Sequence, residues 1–166
     1  MHPSPQRVRL LAVACLALLM LAAGRSGAQT FELVTAAEAQ QAVLAEGAAP
    51  ADVKPRTRGL PNPALPSIRI VTPSDTGAVP APLRIELAFS PAPGARIVPS
   101  TFRILYGLLK IDLTERLRKH ATVSESGVVV EGARMPDGQH RLLLQVADDQ
   151  GNLGERELRL RVGAAS

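Results

Sequence analysis

Residues 83–90 alternate strictly, with Leu83, Ile85, Leu87 and Phe89 on one parity and Arg84, Glu86, Ala88 and Ser90 on the other. An apolar repeat of two buries one face of a strand and cannot bury one face of a helix, whose repeat is 3.6. Pro80 and Pro82 precede the run, and Pro91 and Pro93 follow it. Proline has no N–H to give a sheet ladder, so these residues mark the strand's ends. The same period returns downstream and once upstream. Ile68 and Ile70 form one run; Phe102, Ile104 and Tyr106 form another; Leu109, Ile111 and Leu113 a third. His140, Leu142, Leu144 and Val146 form a fourth, and Leu158, Leu160 and Val162 a fifth. Val128, Val129 and Val130 make a short β-branched strand after Gly127.

Turn chemistry separates these runs. Gly107 predicts a tight hairpin or a bulge, and Pro136-Asp137-Gly138 a turn. Asp148-Asp149-Gln150-Gly151-Asn152 joins the last two runs into a closing hairpin. Residues 114–120 form one helical turn capped by Thr114, with Leu117 as its anchor. Residues 67–162 therefore read as about seven short antiparallel strands, an all-β sandwich, with a barrel as the alternative. Long helices do not alternate with the strands, which excludes a parallel α/β sheet. Leu87, Phe89, Leu144 and Leu160 lie mid-run on the apolar parity and are expected to face the core.

Upstream of the sandwich the chain is of a different kind. Arg7 and Arg9 precede an apolar run at residues 10–23, followed by small residues ending in Ser26-Gly27-Ala28. That order is a secretory signal peptide, and it places the protein in the periplasm or outside the cell. The run is shorter than a spanning helix needs, so no membrane span is expected after cleavage. The predicted signal is residues 1–28, with the mature chain starting at Gln29. Cleavage removes Arg7, Arg9, Arg25 and Cys15, the one cysteine. The mature chain keeps 16 basic and 15 acidic residues and no disulfide, so its core alone must hold it. Net charge this near neutral does not imply a polyanion partner, and no nucleic acid is expected.

Residues 29–49 read as a short helical arm. Thr35 and Glu38 have the spacing of a capping box, and Ala39, Ala42, Val43 and Leu44 continue a weakly apolar face. Residues 50–66 hold five prolines and read as a stiff linker; residues 163–166 are a short tail. Phe31, Leu33 and Val34 are too apolar for a solvated leader. The arm docks either on its own sandwich or on a partner; the stiff linker and the marginal helix favour the partner.

From Pro66-Ser67-Ile68-Arg69-Ile70 to the last strand, by way of Asp137-Gly138 and Asp148-Asp149-Gln150-Gly151-Asn152, the pattern resembles bacterial immunoglobulin-like domains. The resemblance implies an immunoglobulin-like β-sandwich serving as a spacer, adhesive or binding module, with no activity of its own. A second resemblance, carried by residues 73–83 running into Phe89-Ser90, is to periplasmic copper-binding sandwiches of the CopC type. It implies a metal or small-ligand carrier as the alternative function.

The residues point to no enzyme. The chain has no G-x-S-x-G elbow and no phosphate-binding glycine loop. Its aromatic content is 2%, too little to build stacking platforms for sugars. No cofactor and no metal are expected; His120, His140, Asp148 and Asp149 are the candidate ligands, and their spacing fits neither zinc nor a calcium loop. The expected function is a non-catalytic interaction module for an envelope protein or a cell-wall polymer. Phe31, Leu33, Val34, Arg84, Arg103 and Arg141 are the candidate contacts. Arg69, Arg159 and Arg161 also fall opposite core positions. If several arginines share one sheet face, that face can meet an anionic polymer.

Overall fold

The computed structural model describes residues 30–48, 62–73 and 77–163. The expected signal peptide, most of the proline-rich linker and residues 164–166 lie outside the described residues.

Strand dominates. The arm supplies β1 (Phe31–Glu32) and α1 (Ala36–Ala48). Then come β2 (Ser67–Thr72), β3 (Ala78–Val79), β4 (Leu83–Ser90), β5 (Ile97–Tyr106) and β6 (Ile111–Asp112). A short helix, α2 (Thr114–Arg118), leads to β7 (Ala121–Ser124), β8 (Gly127–Arg134), β9 (Gly138–Asp148) and β10 (Leu153–Val162). Two five-stranded sheets result. The first runs β1-β8-β4-β2, with β7 also paired to β8; the second runs β3-β10-β9-β5-β6. Leu87 and Phe89 of the first sheet meet Leu144 and Leu160 of the second in one core, all four buried as their parity predicts.

Three expectations change. The pairing is not antiparallel throughout: β1 runs parallel to β8, and β3 parallel to β10. Both are two-residue strands that reach a sheet edge from a loop, too short for periodicity to register. The expected strand around Leu109 shrinks to two residues, because Gly107 (φ 64°) and Lys110 (φ 52°) turn the chain there and leave Leu109 56% exposed. Thr114 does not cap α2. Asp112 Oδ1 accepts from the Thr114 N–H at 2.8 Å, while the buried Thr114 hydroxyl accepts from the Ile104 N–H at 3.1 Å.

The arm docks on its own sandwich, which overturns the expectation of docking on a partner. Leu33 and Val34 are fully buried and Phe31 nearly so, in the same core as Leu144. The Leu33 N–H donates to the Arg134 carbonyl at 2.8 Å, extending the β1–β8 contact. Buried in this way, Phe31, Leu33 and Val34 are unavailable as partner contacts. The capping box forms as read: the Glu38 N–H donates to Thr35 Oγ1 at 3.2 Å, and the Thr35 N–H to Glu38 Oε2 at 2.8 Å. The buried side of α1 is narrower than expected. Ala42 is buried, whereas Val43 and Leu44 are 65% and 73% exposed. Ala42 fits because the helix lies against Gly107, where an added Cβ would stand 3.1 Å from the Ala42 Cβ.

Candidate functional site

The candidate metal ligands have other employment. His140, on the inner face of β9, is buried between two partners. Tyr106 Oη lies 2.9 Å from its Nδ1 and the Pro136 carbonyl 2.8 Å from its Nε2. A carbonyl only accepts, so Nε2 carries the proton and Nδ1 accepts from the tyrosine. Burial pushes the His140 pKa down, against the upward pull of the Pro136 carbonyl, which keeps the ring neutral. Burial, with Glu46 and Glu38 nearby, pushes the Tyr106 phenol up. The pair is thus an uncharged lock between β5 and β9, as a strand-end histidine with a satisfied ring should be.

His120 stacks its ring on Phe31, with centroids 4.0 Å apart and planes 10° from parallel, and so covers the arm's first buried residue. Asp148 is spent on its own turn. Its carboxylate accepts from the backbone N–H groups of Gln150 and Asn152, at 3.1 and 2.8 Å, and from the Asn152 amide at 3.0 Å. Burial raises its pKa, but these bonds outweigh it and hold the carboxyl below the usual range. Asp149 Oδ1 accepts from the Arg96 N–H at 3.0 Å, tying that turn to the start of β5. Among the described residues no three His, Cys, Asp or Glu side chains converge on a metal position.

The outward arginines divide between the sheets. Arg69 and Arg84 stand on the first sheet, where Arg84 is paired with Glu86 and Glu131. Arg103, Arg141, Arg159 and Arg161 stand on the second. The β9–β10 register puts Arg159 directly opposite Arg141, and Arg161 opposite Gln139. Alternation then places all three arginines on the outer face, at the end where β9 starts and β10 finishes. There they line an open groove of about 550 Å³, with Glu46 from α1, Gly77, Ala78, Gln139 and the buried His140 and Leu160 completing its walls. Arg103 lies farther up the same face, opposite Gln145.

Glu157 organises two of the three. Arg141 Nε and Nη2 reach its Oε2 at 2.9 and 2.7 Å, and Arg159 Nε pairs with its Oε1. Burial raises the Glu157 pKa, and the bonds from Arg159 and Arg141 outweigh that effect and lower it. The carboxylate therefore stays charged and holds the facing guanidinium groups against their mutual repulsion. Parity in the sequence puts Arg141, Arg159 and Arg161 outward. It does not separate them from Arg69 and Arg84, because strand-to-sheet assignment depends on long-range pairing. Glu46 could not be read as part of this surface at all; it arrives with the docked arm.

No family model matches this chain, and no curated protein matches it. Among the described residues no helix is long and apolar enough to cross a membrane.

Proposed function

We propose that the protein is an exported, non-catalytic interaction module of immunoglobulin-like type, which contacts an envelope component through the outer face of its second sheet. The observation that carries this is the groove: three guanidinium groups, two of them directly opposed, gathered on one sheet face beside a single lining carboxylate. Glu157 bridges the opposed pair, Arg141 and Arg159, but it engages Arg159 only through Nε and does not reach Arg161. The donors left open have a use if an anionic partner completes the groove.

The immunoglobulin-like part of the reading is supported by strand order. In such sandwiches, strands named A to G in chain order form one sheet ABED and another CFG. Here β2-β4-β8-β7 follows the first order and β5-β9-β10 the second, with β3 and β6 added at the edges. His140 supports it too. Its bond to the carbonyl four residues upstream, at the start of β9, resembles the tyrosine corner of those domains. The export part rests on the signal-peptide pattern of residues 1–28.

Co-sedimentation of purified protein with isolated cell envelopes tests the function. Charge reversal on the second sheet, Arg159→Glu with Arg161→Glu, should release the protein into the supernatant. Arg69→Glu with Arg84→Glu on the first sheet should leave it in the pellet. Equal retention of all three proteins would discard the second sheet as the contact face.

A further inference from the structure

We propose that the arginine groove binds phosphate groups carried along a polymer chain, an inference that rests on the second sheet being the binding face. Arg159 and Arg161 are successive outward residues of β10, about 6.5–7 Å apart along the strand. Glu157 occupies Arg159 only through Nε, on one side of its fork. Among the described residues the two terminal amines of Arg159 and the whole fork of Arg161 have no hydrogen-bond or ion-pair partner. Both arginines line the groove. Two guanidinium groups with open donors therefore stand across a gap that one compact anion can bridge.

Phosphate suits the open donors better than carboxylate. A carboxylate can bridge two guanidinium groups, as Glu157 bridges Arg141 and Arg159, but it offers only two coplanar oxygens. A phosphate presents non-coplanar oxygens and can engage Arg159 and Arg161 together. The remaining walls favour charge over shape. Gly77, Ala78 and Gln139 are small or polar, Glu46 is charged, and the lining His140 and Leu160 are buried, so little apolar surface is offered to an anchor. That argues against a peptide ligand, whose affinity is concentrated in such anchors. The groove's volume of about 550 Å³ is many times that of one phosphate, and it is open. A chain crossing it can place one phosphate between the forks and neighbours on either side.

Calorimetric titration of the full chain with short-chain inorganic polyphosphate at low salt is the test, with inorganic phosphate and phosphatidylglycerol vesicles as the other two probes. Polyphosphate should bind more tightly per phosphate than either. Arg159→Gln with Arg161→Gln should weaken it by at least about tenfold, the loss expected when charge-assisted bonds are removed. Arg69→Gln with Arg84→Gln should leave the affinity within about twofold, since those side chains stand on the other sheet. Thermal unfolding of each variant verifies that it is folded. The proposal is overturned if polyphosphate does not bind or if both double variants lose it equally. It is also overturned if free phosphate or the vesicles bind as tightly as the chain. Envelope co-sedimentation without polyphosphate binding would leave the module reading standing and remove the phosphate. Polyphosphate binding without co-sedimentation would do the reverse.

Discussion

The arm and the closing hairpin bury side chains in the same core, yet they get there by opposite routes. The hairpin is local. β9 and β10 pair over ten register positions, from Leu153 opposite Ala147 to Val162 opposite Gly138, across a turn that Asp148 organises. The arm is non-local. β1 pairs with β8 at two positions about a hundred residues away, and its helix is held by one buried alanine and an ion pair. Burial alone does not distinguish them: Leu33 in the arm and Leu144 in the hairpin are both fully enclosed. The difference is in what does the enclosing. Leu144 is placed by its own strand's alternation, whereas Leu33 is placed by surfaces that exist only once the sandwich has formed.

Removing the arm should have the largest effect of any change considered. Deleting residues 30–48 strips Phe31, Leu33, Val34 and Ala42 from the core. Full burial of a large apolar side chain contributes about 1.5–3 kcal/mol, so three of them contribute roughly 5–9 kcal/mol as an upper bound. Whole domains are stable by only about 5–15 kcal/mol. The truncated protein should therefore unfold at much lower denaturant, or fail to unfold cooperatively at all. An unchanged midpoint would mean that the arm is an appendage and that only the hairpin belongs to the core.

Single truncations ask whether the two regions are equals. Leu144→Ala and Leu33→Ala should each cost about 2–5 kcal/mol, the range for emptying an enclosed leucine site. Val43→Ala, on the exposed side of α1, should stay within about 0.5 kcal/mol and serves as the control. Urea denaturation of the three variants measures this. A Leu33→Ala cost close to that of Val43→Ala would show that the sandwich closes over the gap, and the equivalence of the two regions would fail.

What the sequence disclosed follows the same division. The runs that became β4, β9 and β10 were legible because alternation, proline and turn residues all report on neighbouring residues. The capping box of Thr35 and Glu38 was legible for the same reason. The seat of the arm was not. His120 beneath Phe31, Arg116 against Glu38 and Gly107 beneath Ala42 are pairings between distant residues. Gly154 illustrates the limit. In sequence it is one more glycine near a turn, but a Cβ there would stand 2.1 Å from the Pro66 carbonyl oxygen, where the chain enters β2. The candidate site was half legible. Outward parity identified the arginines, and only the assembled sheets showed which of them share a groove.

The smallest predicted effect concerns the electrostatic part of the arm's attachment, and its pH dependence has a definite sign. Arg116 Nη1 and Nη2 reach Glu38 Oε2 and Oε1 at 2.8 and 2.9 Å, and Nη1 also donates to the Leu33 carbonyl at 2.8 Å. The Arg116 bonds lower the Glu38 pKa most; burial opposes them and the bonds from Thr35 reinforce them. The result is about 2, against an ordinary 4.5. A carboxyl depressed on folding stabilises fully above its unfolded value and loses that contribution as pH falls through its folded value. Glu38 thus acts in full at neutral pH, weakens progressively below about 4.5, and contributes nothing below about 2. Glu38→Gln should cost about 1 kcal/mol at pH 7, the scale of a partly exposed ion pair together with half of a capping box. Unfolding of both proteins, followed from pH 7 to pH 2, should show the gap between them close within that window. Asp148 and Glu157 titrate alike in the two proteins and cancel in the difference. A gap that persists at pH 2 would show that Glu38 holds the arm by shape and hydrogen bonding and not by charge.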